Sequence, residues 1–390
     1  MCRPTIFLLL FSMAASTLAF GQSSSTATGV SRAMNPAVSV NGLFWGQVSR
    51  DNDSPEFNRV ALQEAEAQFA AVVDPFWAAV FTFAVHPTHS HEAGSDTNVY
   101  NESAEEPHGF ALDVEEAYVD GQSLPAGLGL RLGKFYLPFG KWAPLHTHQF
   151  PFAVSPLAVA HYLGEHSLTE PGGMMTLSVP LPWYSDLQLY GVNGDSELFD
   201  RSSTELVWGG RWRNMWDVSD NATLELAGSG FTGPDGAFPD EGRQLYVYGA
   251  DLTYKWVSAA RSQGPILVLT GEVILPRPQE REGDPYGWYA LANYRFRRNW
   301  WLGVTVGQVD CDTHHEGDKQ FPILSKQHEH EQSFPGDTWE YKANLTYAPS
   351  EFSALRFEVD YYEDRVGDAD DLRFIVQVNF TIGSHPAHLY

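Results

Sequence analysis

Apolar and polar side chains alternate along many segments of this chain, most regularly near its C-terminus. In residues 371–382, Leu372 and Phe374 share one face while Arg373 and Gln377 share the other. Segments further upstream repeat the same two-residue period. This period is typical of β-strands that have one apolar and one polar face. The predicted fold class is therefore all-β.

Sixteen segments have strand-like alternation or composition. They are residues 37–48, 59–72, 75–86, 110–119, 127–137, 172–180, 185–192, 204–213, 221–231, 243–257, 264–276, 285–297, 299–309, 337–348, 352–362 and 371–382. Short connections such as Val73–Asp74 alternate with long ones such as Pro87–Gly109. Outer-membrane barrels have short periplasmic turns and longer external loops. We therefore predict a transmembrane antiparallel β-barrel of about 16 strands.

Residues 1–21 have the features of a secretory signal peptide, because Arg3 precedes an apolar run that ends in small residues. That run is too short to span a bilayer as a helix. We expect residues 22–36 to form a short periplasmic segment and residues 37–390 to form a single barrel. Cys311 is then the one remaining thiol, which excludes an internal disulfide framework. The predicted location is the bacterial outer membrane, with its lipid around the barrel.

The charge balance narrows the candidate partners. The chain has 49 acidic and 24 basic residues, a formal net charge of −25. This excess opposes binding to nucleic acid and is compatible with cations or metal ions. The sequence has no nucleophile elbow, phosphate-binding glycine loop or His-Glu-x-x-His helix. We therefore expect no enzymatic activity and no required cofactor, with zinc as a candidate ligand.

One stretch resembles a known family. Residues 133–140 read GKFYLPFG, and the sequence His146-Thr147-His148 follows. The stretch resembles the strand-to-loop motif of the phosphate-selective porin superfamily, and it is nearest to the branch described as zinc-regulated outer-membrane receptors. The resemblance implies a barrel of 16 or 18 strands, often a homotrimer, whose third external loop folds into the lumen. In our strand count that loop runs from Pro138 to Pro171.

This loop supplies the candidate residues of a pore constriction, and the polar strand faces supply candidate lining residues. The constriction candidates are Lys141, His146, His148, His161, Glu165 and His166. The lining candidates are Glu64, Glu66, Asp113, Glu115, Arg131, Asp251, Glu340, Arg356 and Glu358. An acid-rich lumen favours cations. We therefore expect a diffusion channel for cations or small hydrophilic metal-bearing solutes, and the phosphate selectivity of the family is not carried over.

Histidines on the predicted external loops suggest a second function. Clustered imidazoles with nearby carboxylates are suitable ligands for Zn²⁺ and similar ions, although a solvated polar loop has the same composition. The candidate metal ligands are His86, His89, His91, His314, His315, His328 and His330. The first alternative function is therefore a surface receptor for zinc or another transition metal. The second is a soluble exported β-sandwich binding protein, because a sandwich also gives a two-residue period.

Overall fold

The computed structural model describes residues 36–50, 58–88, 109–121, 124–164, 167–238, 241–259, 264–279, 283–311, 337–365 and 370–383. These residues form sixteen β-strands, one short α-helix and two 3-10 turns. The strands are β1 (Ala37–Ser49), β2 (Arg59–Val72), β3 (Trp77–Thr88), β4 (Gly109–Gly121), β5 (Leu128–Tyr136), β6 (Thr169–Ser178), β7 (Tyr184–Val192), β8 (Val207–Ser219), β9 (Ala222–Pro234), β10 (Gln244–Val257), β11 (Ile266–Pro278), β12 (Tyr286–Arg297), β13 (Trp300–Asp310), β14 (Asp337–Ser350), β15 (Ser353–Asp364) and β16 (Asp371–Gly383). The helix is α1 (Leu157–Leu163), and the 3-10 turns are Pro125–Gly127 and Thr147–Gln149. No helix in the described part of the chain is long and apolar enough to cross a membrane.

The sheet closes on itself. Each strand pairs antiparallel with its sequence neighbours, and β16 pairs with β1 from Ser39↔Gly383 to Ser49↔Arg373. The predicted antiparallel barrel of 16 strands is confirmed among the described residues. Closure leaves no unpaired sheet edge, so the backbone groups of the wall are satisfied without water.

The two faces of the sheet have the reverse of the distribution found in a soluble protein. Leu302 and Val304 of β13 are each 47% exposed, whereas Glu340 of β14 and Glu358 of β15 are 0% and 1% exposed. An apolar exterior with a polar interior suits a barrel surrounded by lipid. The alternative of a soluble β-sandwich is therefore wrong, because a sandwich buries the apolar face.

The connections alternate in length along the chain. β2 and β3, β8 and β9, β12 and β13, and β14 and β15 are joined by turns of a few residues, whereas β5 and β6 are more than thirty residues apart. Local hydrogen bonds stabilise the short turns. The Asp74 carboxylate, for example, accepts hydrogen bonds from the backbone N–H groups of Phe76 and Trp77. We call the two rims of the barrel the short-turn end and the long-loop end.

The predicted strands agree with the observed ones to within a few residues, except at β8. That strand was predicted to end at residue 213 and continues to Ser219. Its extension pairs with the start of β9, where Asp217 faces Thr223. Polar residues obscure the alternation in this part of the sequence, which lies at the short-turn end of the strand.

The connection between β5 and β6, residues 137–168, runs inside the barrel, and we call it the lumen loop. Residues 165–166 lie outside the described part of it. Its wall partners are Gln63 of β2, Glu115 and Glu116 of β4, Ser229 of β9, Glu272 of β11, Glu340 of β14, Glu358 of β15 and Asn379 of β16. A single segment can reach inward side chains on opposite sides of a closed barrel only from within the lumen.

Candidate functional site: the lumen loop and its charged wall

The lumen loop enters the barrel at Pro138, directly after β5. Proline has no N–H to donate to a strand ladder, so it favours the end of pairing here. Gly140 follows with φ +60°, a left-handed conformation that side chains disfavour. A Cβ atom on Gly140 would lie 1.8 Å from Oε1 of Glu272. The loop backbone therefore lies against the wall at this position, and only glycine fits.

A group of charged side chains holds the loop near Gly140. The guanidinium of Arg211 donates to both carboxylate oxygens of Asp251, at 2.7 and 3.0 Å, and also to the Gly140 carbonyl. Lys141 forms an ion pair of 3.0 Å with Glu225, and its backbone N–H donates to Glu272. The fork of arginine and the two oxygens of a carboxylate form a bidentate pair of well-defined geometry. This pair orients the Arg211 guanidinium towards the loop backbone.

On the opposite side of the barrel, β15 binds the backbone of the loop. The Glu358 carboxylate accepts hydrogen bonds from the N–H groups of Ala153 and Val154, at 2.9 to 3.1 Å. Arg356 donates to the carbonyls of Phe150 and Phe152, at 2.9 and 2.8 Å. A buried irregular segment has no ladder partners for its polar backbone groups. The charged side chains of the wall replace those partners.

Helix α1 is bound by the same part of the wall. The Glu340 carboxylate accepts a hydrogen bond of 2.9 Å from the N–H of Leu157 and also forms an ion pair with Lys342. Lys342 donates to the Ser155 carbonyl at 2.7 Å. At the other end of α1, the Tyr162 hydroxyl lies 3.1 Å from the Asp310 carbonyl, to which it donates. The helix is therefore fixed at both ends.

Aromatic side chains of the lumen loop form an apolar core inside the barrel. Phe139 makes an edge contact with Phe231 of β9, with ring centroids 5.5 Å apart. Inward residues of β8 and β10, including Val207 and Leu245, are fully buried against the same cluster. These inward positions are apolar, whereas strict alternation predicts polar residues there. The departure follows from packing, because the loop covers them and excludes water.

His146 lies among carboxylates of β2 and β4. Its Nδ1 atom is 3.0 Å from Glu66 and 3.2 Å from Glu115, and its Nε2 atom is 2.9 Å from Glu116. Burial disfavours the charged imidazole, but the attraction of Glu66 and the hydrogen bonds to Glu115 and Glu116 outweigh it and raise the pKa of His146 well above its usual value. His148 is also buried, with Nδ1 3.3 Å from Glu66.

Register irregularities bring these carboxylates together. The pairing of β1 with β2 shifts between Leu43 and Phe44, and the pairing of β3 with β4 shifts between Thr82 and Phe83. The shift in β4 leaves Glu115 as an additional residue, so adjacent Glu115 and Glu116 both reach the interior. A β-bulge redirects side chains in this way, and bulges are common beside functional sites.

His161 of α1 has a different environment. Its Nε2 atom is 3.1 Å from the Sγ atom of Cys311, and its ring meets Tyr162 edge-on at 4.7 Å. Burial lowers the pKa of His161 to about 4. The imidazole of His161 is therefore neutral at pH 7.

The structure brings most of the predicted site residues to the lumen. Lys141, His146, His148 and His161 belong to the lumen loop, while Glu165 and His166 lie outside the described residues. The lining candidates Glu64, Glu66, Glu115, Asp251, Glu340, Arg356 and Glu358 are buried on the wall, and Arg131 binds Asp120 at 2.8 Å.

Asp113 differs from the other lining candidates. Its side chain is 57% exposed and lies 3.8 Å from the Lys134 ammonium group. Four residue pairs join β4 to β5, from Ala117↔Lys134 to Asp120↔Arg131, and Asp113 precedes them on β4. Asp113 is therefore more exposed than the buried lining candidates, and its role as a pore-lining residue stays a prediction.

Of the seven external metal candidates, the structure describes His86 alone. It lies on β3 near the long-loop end and is half-buried. His89, His91, His314, His315, His328 and His330 lie outside the described residues.

Several residues of the wall were not predicted as site residues. Glu116 was missed because a bulge is not visible in a two-residue pattern. Arg211 and Glu272 could have been found as charged residues at inward positions of β8 and β11, although apolar residues at both parities of β11 weaken the signal. Glu170 accepts hydrogen bonds from the backbone N–H groups of residues 194, 195 and 196, and it therefore stabilises the turn after β7.

No protein-family model matches the sequence. A protein of Aquifex aeolicus (strain VF5), described as uncharacterized, is 27% identical over 316 residues, which are 70% of this chain and 63% of that protein. The match thus covers less than two thirds of that relative's length.

Solved structures show the class of the fold. The anion-selective porin from Comamonas acidovorans has a TM-score of 0.53 at 7% identity, covering 89% of this chain and all of that chain. OmpT of Vibrio cholerae, in-vitro folded and in trimer form, has a TM-score of 0.53 at 8% identity, with 89% and 100% covered. The fold is that of an outer-membrane porin. The closed barrel and its apolar exterior place the protein in the bacterial outer membrane.

Proposed function

We propose that the protein is a passive diffusion channel of the outer membrane, in which the lumen loop forms the constriction. The observation that supports this most strongly is the set of hydrogen bonds between the loop and the wall on opposite sides of the barrel, at Asp251 through Arg211 and at Glu358. A loop bound at so many positions keeps one conformation, so it reduces the cross-section of the lumen to a defined shape. Solutes then pass without a chemical step, so no catalytic residue is proposed.

The proposed solutes are cations or small hydrophilic solutes that carry a cation. Among the buried charged side chains of the described residues, carboxylates far outnumber lysine and arginine. A passage between walls of one charge raises the local concentration of ions of the opposite charge. The motif at residues 133–140 supports a relationship with the phosphate-selective porin superfamily. The negative wall opposes phosphate as the solute.

We also propose that the barrel assembles as a homotrimer. The trimer form of OmpT from Vibrio cholerae, which has the same fold, supports this arrangement. Light scattering in detergent should give a protein mass of three chains, after correction for bound detergent. A mass of one chain would contradict the trimer and leave the channel unaffected, because each barrel encloses its own lumen.

The channel and its constriction can be tested by planar-bilayer conductance. In the test variant, a short Gly-Ser linker replaces residues 141–163. In the control variant, a Gly-Ser segment replaces residues 51–57 without changing the length of that connection. We expect a measurable single-channel conductance for the wild type, a several-fold higher conductance without the loop, and no change in the control. Equal conductance of the wild type and the loop variant would contradict a constriction formed by this loop.

A further inference from the structure

Two strands and the lumen loop bring four carboxylates and two imidazoles together inside the barrel. The six residues are Glu64 and Glu66 of β2, Glu115 and Glu116 of β4, and His146 and His148 of the loop. Each of them is at most 7% exposed. The group shares no residue with the seven histidines predicted as external metal ligands, and we call it the inner His-Glu cluster.

The positions of its donor atoms match those of metal ligands. Glu64, Glu66 and His148 form one set, and Glu66, Glu115 and His146 form another, with ligand atoms within 4.8 Å of one another in each set. Oε2 of Glu66 belongs to both sets and lies 3.0 Å from Nδ1 of His146 and 3.3 Å from Nδ1 of His148. A tetrahedral zinc ion with bonds of about 2.0–2.1 Å separates its ligand atoms by roughly 3.3 Å.

The charges of the cluster call for a cation. The cluster contains four carboxyl groups and two imidazoles, so it can hold more negative charge than its imidazoles can balance. Arg131 donates its hydrogen bonds of 2.8 and 2.9 Å to Asp120, which is not a member of the cluster. Oε2 of Glu64 is buried and has no hydrogen-bond partner among the described residues. Buried charge of one sign is costly unless a partner neutralises it, and a divalent ion would supply the missing charge.

The orientation of His146 is also that of a metal ligand. Its Nε2 atom lies 2.9 Å from Glu116. A proton on Nε2, donated to Glu116, leaves the lone pair of Nδ1 directed at Glu66 and Glu115. Metal-binding histidines commonly donate their second nitrogen to a carboxylate in this way, which fixes the tautomer and the ring.

We propose that the inner His-Glu cluster binds one divalent transition-metal ion. The proposed ligands are Nδ1 of His146, Nδ1 of His148 and the Glu66 carboxylate, with Glu64 or Glu115 as the fourth. Imidazole and carboxylate ligands suit Zn²⁺. The bound ion joins the lumen loop to β2 and β4, so it fixes the part of the loop around the Thr147–Gln149 turn.

Zinc binding by the full-length protein in detergent tests the proposal. The protein is stripped with a chelator and titrated with Zn²⁺ in competition with a chromophoric chelator. We expect one tightly bound zinc per chain in the wild type, and an affinity lower by on the order of 100-fold or more in Glu66→Gln. His161→Gln is the matched control, because it alters another imidazole of the lumen loop outside the cluster and should bind zinc as the wild type does.

A second variant separates the inner cluster from the external histidines. In it, asparagine replaces His89, His91, His314, His315, His328 and His330. We expect this variant to keep the tight zinc. The proposal would be overturned if the external-histidine variant lost the tight zinc while Glu66→Gln kept it. The absence of any tightly bound zinc in the wild type would also overturn it.

X-ray absorption of zinc bound to the wild type gives a test that does not depend on how a variant folds. We expect two imidazoles and oxygen ligands in the first coordination shell, and a spectrum with fewer than two imidazoles would overturn the proposal. Folding of each variant is checked by heat-modifiable migration. Bilayer conductance is measured separately, so failure of the metal site and failure of the channel proposal are distinguishable.

Discussion

At the residue scale, the lumen loop depends on close contacts that tolerate little added volume. Gly140 combines a positive φ with a position against Glu272. Gly242 has a similar φ of +67°, but a Cβ there would meet nothing within 4 Å. Alanine substitutions at the two positions therefore separate backbone strain, which both would cause, from steric overlap, which only the substitution at Gly140 would cause.

We predict that Gly140→Ala destabilises the protein more than Gly242→Ala. Both substitutions place a side chain in the left-handed region, which costs about 1–2 kcal/mol. Gly140→Ala must also displace the Glu272 carboxylate or the loop, which adds about 1–3 kcal/mol. Urea unfolding of the two variants in the same detergent or lipid measures the difference. Equal free energies of unfolding would show that the loop does not lie against Glu272.

At the element scale, α1 is held by contacts with the wall and carries a histidine that is neutral in the folded protein. An unfolded chain binds a proton at His161 below the ordinary pKa of about 6.5, whereas the folded chain does so only near 4. Between these values the unfolded state binds more protons. The stability contributed by neutral His161 is therefore complete above pH 6.5 and is lost as the pH falls towards 4.

We predict that His161→Gln reduces the loss of stability on acidification. The side chain of glutamine does not titrate, so the variant lacks the proton uptake that His161 undergoes on unfolding. Urea unfolding of both proteins at pH 7.5 and pH 4.5 isolates this contribution, since the carboxylates titrate in both proteins. The wild type should lose more stability than the variant between the two pH values. An identical loss in both proteins would contradict a buried neutral His161.

The elements themselves were largely predictable from the sequence. Strand faces in a membrane barrel alternate strictly, because one face meets lipid and the other meets the lumen. All sixteen predicted strands are present in the described residues. The β-bulge beside Glu115 was not predictable, because a single additional residue does not interrupt the pattern. The apolar inward positions, such as Val207, were not predictable either, since their reason is a segment distant in sequence.

At the scale of the whole molecule, the acidic residues of the wall have two consequences. The two-residue period of the strands predicts their inward direction, and their charge predicts attraction of cations. The period does not predict that Glu340 and Glu358 accept hydrogen bonds from the backbone of the lumen loop. Which carboxylate meets which N–H group depends on the path of an irregular loop, and no periodic pattern encodes that path. The same carboxylates therefore position the lumen loop and, in the proposed channel, contribute to the negative field of the constriction.

The central claim is a channel whose constriction favours cations, and the reversal potential in a KCl gradient tests it most directly. Lys141 and Glu225 form an ion pair at the loop, which allows variants with opposite expected effects. Glu225→Gln leaves the Lys141 charge unbalanced and should lower the preference for K⁺, whereas Lys141→Gln should raise it. The measurement is made in planar bilayers with a chelator present. We predict that the reversal potential of the wild type has the sign of the K⁺ equilibrium potential. A reversal potential with the sign of the Cl⁻ equilibrium potential would contradict the claim.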